Sequence, residues 1–235
     1  MQNFPLITFI IGTRPEAIKL SPVILKFKEC KLISTRIILT GQHKEMTYQV
    51  MKLFNLEEDM NLEIMKKQQS LTHITSSVID GLEEELIKNK PEILIVQGDT
   101  TTAFAAALAG FYKKILVAHI EAGLRTGDIN NPYPEEVNRK LISQISSLNF
   151  APTQAAFNNL EKENVLGKTI VTGNTCIDAL KLLEEKSTDL SFSKKIKWSD
   201  QKVILVTVHR RENWGENLTN IAEGLKKLVD NNENI

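Results

Sequence analysis

Three carboxylates and one histidine occur in the segments that follow short apolar runs. They are Asp99, Glu121, Glu135 and His209. Carboxylates and imidazoles can transfer protons to and from a substrate at neutral pH. Ligands of open α/β sheets bind beyond the carboxyl ends of the strands, so we expect these four side chains to lie at one edge of a sheet. The pattern predicts an acid–base site.

Cations accompany these residues and indicate an anionic, phosphorylated substrate. Arg14 and Lys19 follow the first apolar run, and Arg210 follows His209 directly. Pro15 suits the first turn of a helix, and a helix N-terminus favours phosphate groups. The alternative for Arg14 and Lys19 is an ordinary helix start with two solvated cations.

Some of these candidates also have simpler explanations, and the sequence lacks the patterns of common cofactor and metal sites. Asp99 could cap the helix that follows it, and acidic residues such as Glu135 and Glu136 are favoured in a first helical turn. No G-x-G-x-x-G sequence is present, so a tightly bound NAD or FAD is not expected. The other histidines are not spaced for zinc. We therefore predict neither a cofactor nor a metal.

The elements that must position these residues alternate along the chain. Apolar runs predict strands at 6–11, 36–40, 93–97, 115–120, 148–151, 169–172 and 203–208. Helical patterns cover 71–89, 101–112, 134–146 and 217–230, and Pro22 is expected to kink or split the first helix. The alternation predicts an α/β fold with a doubly wound, mainly parallel sheet.

The domain pattern changes after residue 185. We predict an N-terminal domain at 1–185, a polar linker at 186–201 and the start of a second, incomplete domain at 202–235. The chain has 29 Lys and Arg residues against 29 Asp and Glu residues, so neither nucleic acid nor a membrane surface is an expected partner. Its two cysteines and the lack of a signal-peptide pattern predict a cytoplasmic protein.

Seven motifs, in order along the whole chain, resemble the non-hydrolysing UDP-N-acetylglucosamine 2-epimerases. They are GTRPEAIK at 12–19, QHKEM at 42–46, GDTTT at 98–102, HIEAGLRTGD at 119–128, PEEVNR at 134–139, TGNT at 172–175 and HRRE at 209–212. The resemblance implies two Rossmann-like domains in a GT-B-type architecture. It also implies interconversion of UDP-GlcNAc and UDP-ManNAc, by elimination and re-addition of UDP, for cell-envelope polysaccharides.

The resemblance also implies roles for residues and partners. Asp99, Glu121 and Glu135 would carry the acid–base steps, and His209 would stabilise the leaving UDP. The substrate-binding residues would be Arg14, Lys19, Arg139 and Arg210. The candidates for an activator site are Gln42, His43 and Glu136, and Arg210 matches this site as well. The expected partners are a UDP-sugar and either a second copy of the chain, as a homodimer, or a companion C-terminal chain.

Four alternatives remain open on the residues alone. They are a hydrolysing epimerase, an epimerase of a modified UDP-sugar, a glycosyltransferase of the same architecture, and an inactive or split half of an epimerase. Fold analogy would permit the glycosyltransferase, but the combination of Asp99, Glu121, Glu135 and His209 favours an epimerase.

Overall fold

A seven-stranded, all-parallel sheet organises the first 184 residues in the computed structural model. The structure describes residues 4–41, 44–66, 69–184, 196, 198–200, 202–208 and 214–232. The strands are β1 (Leu6–Ile11), β2 (Ser34–Leu39), β3 (Met60–Asn61), β4 (Ile93–Gln97), β5 (Leu116–Ile120), β6 (Leu148–Ala151) and β7 (Lys168–Val171). Their spatial order is β3-β2-β1-β4-β5-β6-β7.

Eight helices are present in the described parts of the chain. They are α1 (Arg14–Glu29), α2 (Lys44–Leu53), α3 (Leu71–Lys88), α4 (Thr101–Tyr112), α5 (Glu135–Ile145), α6 (Gln154–Lys162), α7 (Thr175–Glu184) and α8 (Glu216–Asp230). None of them is long and apolar enough to cross a membrane, among the residues described.

Helices cover both faces of the sheet, which explains why its central strands are apolar throughout. Along β4, Leu94 and Val96 pack with α3 and α4, whereas Ile95 points to the opposite face and packs with α1. All three side chains are buried. The sheet is therefore doubly wound, as the sequence predicts.

The order of the strands reverses between β1 and β4. After β1 the chain adds β2 and β3 on one side, and it then returns to place β4 on the other side. The crevice at such a switch point is where open α/β sheets bind ligands. The segments that follow β1 and β4 are joined here, because the Thr100 hydroxyl donates a hydrogen bond to the Glu16 carboxylate at 2.5 Å.

Six of the predicted strands are confirmed within two residues, but the strand predicted at 203–208 is wrong. Residues 202–208 form no strand, and Leu205 is 94% exposed. A strand needs a neighbouring strand with which to exchange backbone hydrogen bonds. The described residues beyond 186 include no strand that could pair with residues 203–208. Helix α8 is confirmed within one residue.

Pro22 does not split the first helix, because α1 runs without a break from Arg14 to Glu29. Leu20, Ser21 and Ile24 are buried around the proline, so packing compensates for its missing N–H. The chain divides into two compact units, Met1–Lys186 and Ser187–Ile235. Most of the predicted linker at 186–201 lies outside the described residues.

Candidate active site

Glu121 is the centre of a polar cluster at the carboxyl edge of the sheet. It follows β5 directly with a φ of 66° and keeps only 12% of its side chain exposed. Its Oε2 accepts hydrogen bonds from Lys19 Nζ at 2.6 Å and Gln97 Nε2 at 2.5 Å, and its Oε1 accepts one from Asn174 Nδ2 at 2.8 Å. All three partners donate, so the geometry fits an ionised carboxylate.

Sequence reasoning found Glu121 and Lys19 but missed Gln97 and Asn174. Gln97 is the last residue of β4, and Asn174 lies three residues after β7 in the TGNT motif. The position at a strand end is a signal that could have identified both. The cluster joins four separate parts of the chain, which are α1, β4, β5 and the segment after β7.

Asp99 lies in the turn after β4 and is held by α5. Its carboxylate forms an ion pair with Arg139, and its backbone carbonyl accepts a hydrogen bond from Asn138 Nδ2 at 2.9 Å. Asp99 does not cap α4. Thr100 is the cap, because its side chain accepts a hydrogen bond from the backbone N–H of Ala103. The capping alternative for Asp99 is therefore wrong.

Glu135 begins α5, one turn before Asn138 and Arg139. The acidic first turn that the sequence predicts is confirmed. In contrast with Asp99 and Glu121, the Glu135 carboxylate has no hydrogen bond or ion pair to any described residue. Within the described residues it is the least restrained of the three carboxylates.

Glu136 is completely buried and organises the loop before α5. Its carboxylate accepts hydrogen bonds from the backbone N–H groups of Thr126 at 3.1 Å and Gly127 at 3.3 Å. It also pairs with Arg139 at 3.2 Å, so Arg139 bridges Glu136 and Asp99. These contacts give Glu136 a structural role. Its place in an activator site stays a prediction.

The N-terminus of α1 is already occupied by a carboxyl group from within the chain. Glu16 Oε2 accepts hydrogen bonds from the backbone N–H groups of Gly12 at 2.5 Å and Thr13 at 3.1 Å. Burial raises the pKa of Glu16, and the hydrogen bonds from Thr100, Gly12 and Thr13 lower it in part. Two of the N–H groups expected to bind phosphate are thus engaged, while Arg14 is exposed in the first turn.

His119 lies beneath the cluster on β5 and is fully buried. Its Nε2 is 2.7 Å from the carbonyl oxygen of Gly98. Burial is the main reason that the pKa of His119 falls to about 4, and the positive charges of Arg125 and Arg139 lower it further. Sequence reasoning placed His119 in the HIEAGLRTGD motif and found no metal-ligand spacing for it, but it gave the residue no role.

Four of the predicted site residues lie outside the described residues. They are Gln42, His43, His209 and Arg210. Their proposed roles stay predictions. Within the described ranges, no three histidine, cysteine or acidic side chains are grouped closely enough to hold a metal ion.

The described cluster can handle protons and bind negative charge. It offers one carboxylate held by three donors, one carboxylate paired with an arginine, and one without a partner in the described structure. Lys19 adds positive charge to the cluster, and Arg14 is exposed in the first turn of α1. Different surroundings allow carboxylates to take different acid–base roles, which is what a reaction with two proton transfers requires.

Comparisons with known proteins agree on one family. The family model described as UDP-N-acetylglucosamine 2-epimerase matches residues 26–235. A UDP-N-acetylglucosamine 2-epimerase of Neisseria meningitidis is 47% identical over 94% of this chain and 61% of its own length. A putative one of Clostridium acetobutylicum is 46% identical over 96% of this chain and 60% of its own. The chain thus spans about 60% of the length of these relatives.

Solved structures give the same result. The Neisseria meningitidis UDP-GlcNAc 2-epimerase bound to UDP-GlcNAc matches with a TM-score of 0.90 and 46% identity, over 96% of this chain and 63% of that one. The Methanocaldococcus jannaschii enzyme in complex with UDP-GlcNAc and UDP matches with a TM-score of 0.85 and 38% identity, over the same shares of the two chains. A lipopolysaccharide galactosyltransferase, at 13% identity and a TM-score of 0.53, shares the fold alone.

Proposed function

We propose that this chain, which belongs to the UDP-N-acetylglucosamine 2-epimerase family, carries the acid–base part of an isomerase that interconverts UDP-GlcNAc and UDP-ManNAc. The observation that carries the proposal is the Glu121 cluster, in which donors from three other segments converge on one carboxylate. Two relatives bind UDP-GlcNAc in their solved structures, which supports a UDP-sugar as the substrate.

The proposed reaction needs two proton transfers and no change of oxidation state. A base removes the proton from C2, the C–H electrons form the C1–C2 double bond, and the C1–O bond breaks so that UDP leaves with its electron pair. UDP then adds back to C1 while C2 receives a proton on the opposite face. The enzyme must therefore supply a proton acceptor, a proton donor and positive charge for the departing diphosphate.

Among the three carboxylates, Glu135 is the best candidate for the group that moves the C2 proton. Its carboxylate makes no hydrogen bond to the described residues, so it can approach the substrate without first losing a partner. Asp99 is paired with Arg139, and Glu121 is held by Lys19, Gln97 and Asn174. Those two would supply the second proton transfer and the negative charge that orients the sugar.

The cations have a separate role in the proposal. Arg14 and Lys19 would position the substrate, Arg139 would hold Asp99 in place beside it, and His209 with Arg210 would bind the leaving diphosphate. Arginine and lysine at such positions stabilise developing phosphate charge. A homodimer in the cytoplasm that supplies UDP-ManNAc for cell-envelope polysaccharides is the cellular role that the family resemblance favours.

The test is formation of UDP-ManNAc from UDP-GlcNAc, followed by proton NMR. It uses the 235-residue chain and, in parallel, the same residues continued by the C-terminal part of the Neisseria meningitidis relative. We expect the continued protein to form UDP-ManNAc and the Glu121→Gln variant to be slower by about 1000-fold. A folded continued protein without turnover would contradict the proposal.

The matched control is Glu83→Gln. Glu83 also pairs with a lysine, Lys113, at 2.7 Å, but it is exposed and lies on α3 away from the carboxyl edge. If the loss of activity came only from breaking a glutamate–lysine pair, both variants would be slow. The proposal predicts that Glu83→Gln keeps the rate of the unmodified protein within about two-fold, since exposed pairs contribute little.

A further inference from the structure

We propose that His119 is a positioning residue, whose imidazole binds the peptide group between Gly98 and Asp99 and so sets the direction of the Asp99 carboxylate. The inference rests on the proposed function where it concerns catalysis, because Asp99 is one of the proposed acid–base groups. His119 itself is fully buried, so it acts through Asp99 rather than on the substrate.

The contact that carries the inference is the hydrogen bond at 2.7 Å between His119 Nε2 and the Gly98 carbonyl oxygen. A carbonyl oxygen can only accept, so Nε2 must carry the proton. This carbonyl belongs to the peptide group that includes the Asp99 nitrogen. Rotation of that peptide would move Asp99 directly.

Two further contacts hold the other parts of Asp99. Asn138 Nδ2 donates to the Asp99 carbonyl at 2.9 Å, and Arg139 forms an ion pair with the carboxylate. Asp99 is thus fixed before its own nitrogen, at its carbonyl and at its side chain. Without the first contact, the Gly98 N–H still donates to the Ile120 carbonyl at 3.0 Å, but the peptide that follows Gly98 loses its partner at a residue with a φ of 74°.

The surroundings of the second ring nitrogen favour a neutral imidazole. His119 Nδ1 is buried without a hydrogen bond to the described residues. The paired position on β6 is Asn149, and its side-chain amide atoms are also buried without one. A second ring proton would add a buried charge near Arg125 and Arg139, which agrees with the pKa of about 4.

Two substitutions separate positioning from simple packing. His119→Gln keeps a side-chain N–H donor at about the reach of Nε2, whereas His119→Phe keeps a flat ring and removes the donor. If His119 only fills space, phenylalanine is the better replacement. If it positions the Gly98–Asp99 peptide, glutamine is the better one.

The first readout is NMR of the 235-residue chain, which needs no activity. We expect the ¹⁵N shifts of the His119 ring to report protonation at Nε2 only, without titration between pH 8 and 5. His119→Phe should shift the Asp99 backbone amide and the Asn138 side-chain amide signals, and His119→Gln should leave both near their original positions. A ring protonated at Nδ1 would overturn the inference, as would Asp99 signals that are unchanged in the phenylalanine variant.

The second readout is kinetic and uses the continued protein described above. We expect His119→Phe to lower kcat by about 10- to 100-fold with KM nearly unchanged, because a displaced group loses orientation rather than binding. His119→Gln should recover kcat to within about three-fold. Equal kcat in the two variants would overturn the catalytic part of the inference. NMR shifts as expected in a protein without turnover would reject the proposed function and leave the contact to Asp99 intact.

Should His119→Phe fail to fold, two measurements on other samples replace it. The ring protonation is measured on the unmodified chain, and the glutamine variant is then compared with it alone. An Asp99 amide signal that moves as far in His119→Gln as it does in the urea-unfolded chain would contradict the positioning role.

Discussion

Strand β4 and the segment 203–208 have similar sequences but different structures. Both are runs of isoleucine, leucine and valine, and the sequence predicts a strand for each. Strand β4 lies between β1 and β5 and is buried over residues 94–97. Residues 203–206 are exposed, and Leu205 reaches 94%.

This difference shows that an apolar, β-branched run is not sufficient to form a strand. The backbone of β4 is paired on both sides, and helices cover its two faces. No paired backbone is available to residues 203–208 within the described part of their unit. Residues at the end of β4, such as Gln97, can therefore take part in a site, because the sheet fixes their position.

The largest expected effect comes from placing a charged side chain in each of the two segments. Val96→Asp in β4 should lower the free energy of unfolding by about 5 kcal/mol, because it buries a carboxylate without a partner. Val206→Asp should change it by less than about 0.5 kcal/mol, since that side chain is already 44% exposed. Urea denaturation of the two variants measures both. Comparable losses would mean that residue 206 is buried in solution.

Gly123, in the loop after β5, tests how closely the carboxyl edge of the sheet is packed. Gly123 has a φ of 87°, and a Cβ atom there would lie 2.2 Å from the Ala156 carbonyl oxygen. Gly123→Ala should cost about 3 kcal/mol of unfolding free energy through strain and this clash. Thermal unfolding followed by near-UV circular dichroism should show a lower Tm, and an unchanged Tm would contradict the close packing of α6 on this loop.

The free energy of unfolding should depend on pH in the acid range, because His119 is buried at the edge of the sheet that carries the site. The folded-state pKa of His119 is about 4, below its usual 6.5, so the unfolded chain binds this proton first. Stability should therefore fall as the pH decreases from 6.5 to 4, by at most about 3 kcal/mol from this group. Glu16 acts in the opposite direction, because its raised pKa favours protonation of the folded state.

The His119→Gln variant isolates the histidine contribution to that pH profile. Its unfolding free energy, measured by urea denaturation at several pH values, should lose the part of the acid dependence that lies between pH 6.5 and 4. Identical pH slopes for the variant and the unmodified chain would show that His119 is accessible to protons in the folded state.

The smallest expected effect lies in α8. A Cβ atom on Gly224 meets nothing within 4 Å, and the helix buries none of its residues. Gly224→Ala should stabilise this helix by about 1 kcal/mol through helix propensity alone. Hydrogen exchange of the α8 amides measures the gain, and slower exchange only in β4 or α4 would contradict it.

The sequence predicts most of the fold because its signals are local. Buried strands such as β1 and β4 appear as apolar runs, and their ends indicate where polar residues converge. Strand β3 was missed because it has only two residues, Met60 and Asn61. The strand at 203–208 was predicted wrongly because pairing depends on neighbours that a local pattern does not include.

The site was predictable in part for the same reason. The strand-end rule identified Asp99 and Glu121, but the partners of Glu121 depend on how distant segments meet. Asn174 lies 53 residues from Glu121 along the chain, and no local pattern links the two. The engagement of the Gly12 and Thr13 amides by Glu16 is local by contrast, because Thr13 and Glu16 have the spacing of a capping box, so the sequence itself carries the signal for it.

The most direct test of the central claim is exchange of the C2 proton of UDP-GlcNAc in D₂O. The 235 residues, continued by the C-terminal part of the Neisseria meningitidis relative, are compared with the Glu135→Gln variant by proton NMR. The account predicts deuterium at C2 for the unmodified sequence and a rate about 1000-fold lower for the variant. Exchange at equal rates, or none from the folded unmodified protein, would contradict the claim that Glu135, at the carboxyl edge of the sheet, moves the C2 proton.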